Sequence, residues 1–154
     1  MKSCFFICHH DAPDSILPEL TKAIEGIILE EDEICFYIGG YGNFDRLSVH
    51  AVKQLKQKYP QITLMKLLYY HPAIRPVEIP YGYDGTYYPE GMENVPPRIA
   101  IVKGNQLMVD SVDWLVAYIC HSIGNAGKLL KYAQRKKCSS TLRIINLSNN
   151  ITQL

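Results

Sequence analysis

The glycine cluster after the second apolar run is the part of this chain best suited to binding chemistry. The run 33–38 leads into Gly39, Gly40 and Gly42, and a long helical pattern begins directly afterwards. A strand, a glycine turn and a helix in this order direct backbone N–H groups and a helix N-terminus at one point, where an anion can bind. The cluster lacks the P-loop sequence and the dinucleotide fingerprint, so a tight turn without a ligand is an equally good interpretation.

Individual residues of this cluster suggest individual roles. Gly39, Gly40 and Gly42 carry no Cβ, so a phosphate or ribose could approach the backbone closely. Asn43 is suited to capping the helix that follows. Asp45 lies in the first helical turn, where a carboxylate interacts favourably with the helix dipole. Its alternative role is to accept protons from ligand hydroxyl groups, which makes it a weak candidate for a catalytic group.

Polar segments also follow the other apolar runs. His9 comes after the first run, and Gly124 and Asn125 begin a later helix with a second set of N–H donors. In sheets of parallel strands, ligands bind outside the carboxyl ends of the strands, where the direction of winding reverses. The sequence therefore predicts that these segments meet at one rim.

Metal binding and nucleophilic catalysis are both disfavoured by the spacing of the candidate residues. The imidazole and thiolate groups considered as ligands have no spacing typical of a metal site, and adjacent residues of a strand point to opposite faces. They are Cys8, His9, His10, His71 and His121. The same geometry excludes a Cys8–His9 nucleophile pair. We therefore predict no metal site and identify no cofactor.

The elements that would position these residues follow from hydrophobic periodicity. Apolar runs predict five strands, at 4–8, 33–38, 62–69, 114–119 and 142–145. Three- and four-residue spacing predicts four helices, at 15–30, 44–59, 98–112 and 125–137. The segment 70–97 between them is rich in Pro, Gly and Tyr, and its aromatic residues favour a packed, lid-like loop over a flexible linker.

Strands without polar alternation that are separated by helices imply a mostly parallel sheet covered on both faces. Right-handed crossovers make this a doubly wound, Rossmann-like α/β/α sandwich with five strands. We expect a single domain over residues 1–154, in which residues 148–154 form a polar tail.

Bulk properties limit the class of protein. The chain has 154 residues and a net charge of +1, and such a balance gives no support to nucleic-acid binding. The five cysteines lie mostly in apolar runs without a C-x-x-C pair, which is typical of reduced thiols. No signal peptide or bilayer-length apolar stretch is evident. We expect a cytoplasmic protein with no membrane association.

The sequence resembles the SLOG superfamily, the Rossmann-like domains shared by Smf/DprA and LOG-type proteins, over about residues 4–147. The resemblance is strongest to an uncharacterised bacterial and phage branch. Residues 5–10 correspond to the first-strand ending of that branch, and Gly39 to Asp45 to its Gly-Gly…Asp segment. Residues 103–108, which include Asn105, are similar to its Arg-Asn-Arg stretch. Residues 122–126 are similar to its glycine turn.

The resemblance implies binding of a nucleotide or nucleotide-derived ligand. One wall of the site would hold Gly39, Gly40, Asn43 and Asp45, the other Asn105, Gly124 and Asn125, with His9 beside the ligand. LOG-type members cleave the N-glycosidic bond of nucleoside monophosphates, and Smf/DprA members bind single-stranded DNA.

Departures from the family pattern limit both activities. Cys8 and His10 replace a usual Gly and Arg, and Gly104 and Gln106 stand where basic residues are common. The segment after Gly124 lacks the carboxylate that would stabilise an oxocarbenium-like centre.

Three functions follow as expectations. The first is a binding module or sensor for a small nucleotide derivative, in which tyrosines of the 70–97 segment either stack on a base or only close the surface of the domain. The second is a nucleoside monophosphate hydrolase that uses Asp45. The third, least favoured by the near-neutral charge, is an adaptor for single-stranded DNA. LOG-type relatives also suggest a homodimer.

Overall fold

A computed structural model describes residues 1–9 and 12–148 of the protein. Within these residues, strands and helices follow one another in the order given next, and alternate except at β3 and β4. They are β1 (Lys2–Cys8), α1 (Leu17–Glu31), β2 (Ile34–Ile38), α2 (Asn43–Lys58), β3 (Thr63–Leu67), β4 (Gly85–Tyr87), α3 (Ala100–Ser111), β5 (Trp114–Tyr118), α4 (Gly124–Lys137) and β6 (Arg143–Asn146).

The six strands form one sheet in the order β4-β3-β2-β1-β5-β6, and every neighbouring pair is parallel. The chain winds from β1 outward to β4 and then returns to place β5 beside β1. The direction of winding therefore reverses between β1 and β5, which is the switch point of a Rossmann-like fold. The predicted α/β class with a parallel sheet is confirmed.

Helices cover both faces of the sheet, as the alternation of side chains along β1 shows. Cys4 and Phe6 are buried with residues of α1 and α2, whereas Phe5 and Ile7 are buried with residues of α3 and α4. Successive residues of a strand point to opposite faces, so a strand that is apolar throughout needs cover on both sides. The result is the expected three-layer sandwich, in which all six strands end at the same edge.

The sheet has six strands, so the prediction of five was wrong by one. The additional strand, β4, lies inside the 70–97 segment and pairs with β3 from Met65 to Leu67. Tyr83, Tyr87 and Tyr88 of this segment are partly buried against the two cores, whereas Tyr81 is exposed. The segment is therefore partly an edge of the sheet.

Element boundaries differ from the predicted ones by one to a few residues. Short 3₁₀ turns at Asp14–Ile16 and Pro97–Ile99 precede α1 and α3, so these helices begin later than periodicity suggests. Ser148, the first residue of the predicted polar tail, is fully buried, and its hydroxyl donates to the carbonyl of Ile119 at 2.6 Å. Residues 149–154 of that tail lie outside the described residues, as does His10.

No helix among residues 1–9 and 12–148 is long and apolar enough to cross a membrane.

Candidate functional site

A cavity of about 260 Å³ opens at the carboxyl ends of β2 and β3. Gly39 and Gly40 form the turn on its β2 side, as the glycine pattern predicts. The remaining lining comes from the end of β3, the segment after it, and one tyrosine of the glycine cluster. These residues are Tyr41, Lys66, Leu67, Leu68, Tyr69, Tyr70, Arg75 and Val77.

Two basic side chains line this cavity. Lys66 projects from β3, and its Nζ lies 3.9 Å from the position that a Cβ on Gly40 would occupy. The guanidinium carbon of Arg75 stacks over the ring of Tyr70 at 3.8 Å from the centroid. No carboxylate is found among the described lining residues. The cavity is therefore electropositive and suited to an anionic group.

Tyr69 forms the wall between the glycine turn and α3. A Cβ on Gly39 would lie 2.7 Å from the Tyr69 hydroxyl oxygen, and a Cβ on Gly104 would lie 2.6 Å from its Cδ1. The buried ring thus packs between two glycines, and its hydroxyl donates to Oδ1 of Asn105. The space beside Gly39 is filled by a tyrosine of the protein, and Asn105 positions that tyrosine.

Asp45 organises the glycine turn. The turn needs positive φ at Gly40 (84°) and Gly42 (89°), which glycine adopts without a steric penalty. Oδ2 of Asp45 accepts the N–H of Tyr41 at 3.0 Å, so the carboxylate of the first helical turn folds back onto the turn before the helix. Desolvation by burial raises the pKa of Asp45 to about 6, against the lowering effect of N–H donation from Tyr41 and Gly40.

This arrangement changes the expected source of anion binding. The N–H of Tyr41 is directed at a carboxylate of the chain itself, and that carboxylate already interacts with the N-terminus of α2. An anion in the cavity would therefore be held chiefly by Lys66 and Arg75. The N-terminus of α2 would contribute less to anion binding than these two side chains.

Asn43 connects the rim to the segment after β1. Its side-chain amide donates to the carbonyl of Ala12 and to Oδ1 of Asp14, both at 2.7 Å, while its Oδ1 accepts from Nε of Arg46 at 2.9 Å. The first residue of α2 thus fixes the position of the segment that connects β1 to α1. The prediction that Asn43 caps this helix was wrong, because Gly42 is the residue before the first helical residue and no side chain caps the helix. Asn43 instead has a positioning role.

The other predicted residues lie around the β1–β5 switch point. The rings of His9 and His121 stack with centroids 3.9 Å apart and planes at 20°. Gly124, with φ of 84°, and Asn125 begin α4 on the exposed surface next to this stack. Nδ1 of His121 accepts the N–H of Ile123, the residue before the helix. The predicted residues therefore fall into two groups along one rim, and only Gly39 and Gly40 of them line the cavity.

Sequence reasoning missed Lys66, Arg75 and the role of Tyr69. Lys66 carried a usable signal, because a cation near the end of an otherwise apolar strand faces the rim where ligands bind. Arg75 lies in an irregular stretch, and its stacking on Tyr70 depends on tertiary structure. The packing of Tyr69 between two glycines has no signal in the local sequence.

The fold and the cavity define a Rossmann-like α/β protein with an electropositive pocket at the carboxyl edge of a parallel sheet. No protein-family model matches the chain, and no curated protein matches it either.

Proposed function

We propose that the protein binds a small anionic ligand of the nucleotide type in the cavity at the ends of β2 and β3. The observation that carries this proposal is the combination of two cations, a glycine turn and tyrosine rings around one cavity without a carboxylate. Lys66 and Arg75 would hold the phosphate, and Tyr41 and Tyr70 offer aromatic faces to a base. The resemblance to SLOG domains supports the same ligand class.

The size of the cavity favours a mononucleotide over a larger ligand. Its volume of about 260 Å³ lies just below the range of about 300–1,000 Å³ that is common for small-molecule sites. A dinucleotide or an extended strand would have to leave most of its surface outside. We therefore rank single-stranded DNA binding lowest of the three functions.

The hydrolase alternative depends on Asp45. Its raised pKa of about 6 is of the kind found in acid–base groups, but the carboxylate is engaged with Tyr41 and does not belong to the described cavity lining. The geometry therefore favours a binding module or sensor over a glycosidic hydrolase.

The test is isothermal titration calorimetry with the 5′-monophosphates of adenosine, guanosine, cytidine and uridine. A charge-assisted hydrogen bond contributes about 1.5–3 kcal/mol, so Arg75→Ala and Lys66→Ala should each weaken binding by about 10- to 100-fold. Arg135→Ala and Lys131→Ala, which remove exposed cations of α4, are the matched controls and should bind like the wild type.

Two further measurements separate the three functions. Chromatography of the same mixtures should show intact nucleotide. If free base is released by the wild type and not by Asp45→Asn, the hydrolase is established instead. Salt-dependent binding of an oligothymidine without mononucleotide binding would establish the adaptor. Failure of all four nucleotides to bind, or binding unchanged by Arg75→Ala and Lys66→Ala, would overturn the proposed site.

A further inference from the structure

Three metal-ligating side chains meet at the β1–β5 switch point, outside the cavity. Cys8 pairs with Tyr118 in the sheet, so the segments that follow β1 and β5 leave the edge side by side. His9 belongs to the first segment, and Cys120 and His121 belong to the second. One potential ligand atom from each of the three residues lies within 4.8 Å of the others. We propose that His9, Cys120 and His121 form a binding site for a zinc-class transition metal ion.

The donor set decides the class of metal. One thiolate and two imidazoles are borderline-soft ligands that suit Zn²⁺ and its spectroscopic substitute Co²⁺, whereas Mg²⁺ and Ca²⁺ prefer oxygen ligands. Three protein ligands leave the fourth tetrahedral position to water or to an exogenous ligand, as in zinc sites that are not purely structural. Cys120 and His121 are exposed, so an ion can reach the site directly from solvent.

Metal binding requires the stack of His9 on His121 to open, because an ion lies in the plane of each imidazole ring that binds it and these two rings are nearly parallel. With Zn–N and Zn–S bonds of about 2.0–2.3 Å, tetrahedral ligand atoms lie about 3.3–3.7 Å apart, so the three donors must approach one another by up to about 1.5 Å. Rotation of the exposed His121 ring away from His9, together with rotation of the exposed Cys120 side chain, can supply this movement. The hydrogen bond from the Ile123 N–H to Nδ1 of His121 is long, at 3.3 Å, and solvent can replace it.

The backbone that carries Cys120 and His121 is fixed on both sides, which favours binding by limiting the cost of ordering the site. On one side, Oδ1 of Asn146 accepts the N–H of Ile119, and its Nδ2 donates to the carbonyl of the same residue. On the other side, a Cβ on Gly127 would lie 2.4 Å from the backbone carbon of Ser122. The turn is therefore packed directly onto α4.

This site differs from the sequence-based expectation of no metal. That expectation used the rule that adjacent strand residues face opposite sides, but Cys120 and His121 lie beyond the end of β5, where the rule does not apply. The third donor, His9, is distant in sequence and comes close only because β5 returns to pair with β1. Cys120 was not among the residues considered.

The first test is titration of the protein with Co²⁺, followed by displacement with Zn²⁺. We expect one equivalent to bind, with the visible absorption of tetrahedral Co²⁺ and a thiolate-to-cobalt charge-transfer band. Cys120→Ser and His121→Ala should each weaken binding by more than about 100-fold, since loss of an outer hydrogen-bond partner alone costs about 10- to 100-fold. Cys138→Ser and His50→Ala remove an exposed thiol and an exposed imidazole elsewhere, and both should bind like the wild type.

A second test compares two exposed thiols of the same chain. Zn²⁺ should protect Cys120 from alkylation by iodoacetamide and leave Cys138 reactive, as peptide mass spectrometry can show. The proposal is overturned if Co²⁺ gives no tetrahedral spectrum, if Cys120→Ser binds as tightly as Cys138→Ser, or if zinc protects both thiols equally. Circular dichroism of the metal-free variants confirms that any loss of binding is not a loss of fold.

Discussion

Two parts of the same rim differ in what occupies the gap between strand ends. At β2 and β3, the glycine turn and the two cations surround a cavity. At β1 and β5, the gap at the switch point holds the stacked rings of His9 and His121. In open α/β sheets the switch point is the usual place for a ligand crevice. In this protein the described cavity lies beside β3 instead.

The difference shows that strand topology determines the edge of the sheet at which a cavity can form, and that side chains determine where along this edge it forms. The β2–β3 end is kept in shape by a large ring, Tyr69, that packs between Gly39 and Gly104. The β1–β5 end is kept in shape by close backbone packing at Gly127 and by hydrogen bonds from Asn146. In the two roles proposed above, the first region would bind a ligand of several atoms and the second a single ion.

The strongest way to break the β2–β3 region is to remove the ring of Tyr69. Tyr69→Ala should lower the free energy of unfolding by about 3–5 kcal/mol, the usual cost of replacing a buried aromatic residue with alanine. Urea denaturation measures this loss. Tyr81→Ala is the control, because Tyr81 is 96% exposed and its removal should change stability by less than about 0.5 kcal/mol. Equal losses in the two variants would contradict the packing described for Tyr69.

The corresponding change at the β1–β5 region is Gly127→Ala. The added methyl group would meet the backbone of Ser122, which cannot move aside like a side chain, so we expect a loss of about 1–3 kcal/mol. Gly26→Ala is a matched control within α1, since a Cβ there meets nothing within 4 Å. Better helix propensity should make that variant more stable by up to about 1 kcal/mol. Thermal unfolding of both variants would show shifts of opposite sign, and shifts of the same sign would contradict this prediction.

Elements that depend on local sequence could be predicted, and elements that depend on tertiary contacts could not. Five strands and four helices could be predicted because long apolar runs and three- and four-residue spacing depend on local sequence. β4 could not be predicted, since Gly85–Tyr87 is three residues long and lies in a segment rich in Pro and Gly. It becomes a strand only because the edge of β3 is available for pairing.

Positions at the rim were predictable where they depend on local sequence. Gly39 and Gly40 follow a strand and precede a helix, and they do border the cavity. The contact of His9 with His121 depends on the order of strands in the sheet, which requires the return of β5 to β1. The position of Arg75 over Tyr70 depends on the path of an irregular segment, for which periodicity carries no information.

The pH dependence of stability should reveal the buried carboxylate of the glycine turn. Because the pKa of Asp45 is about 6 in the folded protein and its ordinary value is 3.8, the folded state binds more protons between these values. The free energy of unfolding should therefore fall as the pH rises from about 4 to about 6. In Asp45→Asn this decrease in the free energy of unfolding should be smaller by about 1–2 kcal/mol, a value that allows for solvent screening of the partly exposed side chain.

Asp84 provides a control of opposite sign. Burial raises its pKa, but the N–H of Leu64 and the ammonium group of Lys56 outweigh this effect and hold the pKa of Asp84 below its ordinary value. Its contribution is present at neutral pH and lost as the pH falls. Asp84→Asn should therefore lose stability at pH 7. Denaturation series from about pH 2.5 to about pH 7 cover both windows, about pH 4–6 for Asp45 and below about pH 4 for Asp84, and a parallel response of the two variants would contradict the assignment for Asp45.

The smallest expected effects come from two asparagines that hold the two regions in place. Asn146 makes two hydrogen bonds to the partly buried backbone of Ile119. Asn146→Ala leaves the N–H of Ile119 without its acceptor, while the carbonyl keeps the Ser148 hydroxyl as a donor, so the change should cost about 1–2 kcal/mol. Asn43→Ala should cost only about 0.5–1 kcal/mol, because two of its three hydrogen bonds are exposed and water can replace them. Amide hydrogen exchange would locate each effect: faster exchange at Ile119 in the first variant, and at residues around Ala12 in the second. A larger cost at Asn43 than at Asn146 would mean that the rim beside the cavity, and not the switch point, is the more rigidly held part of this edge.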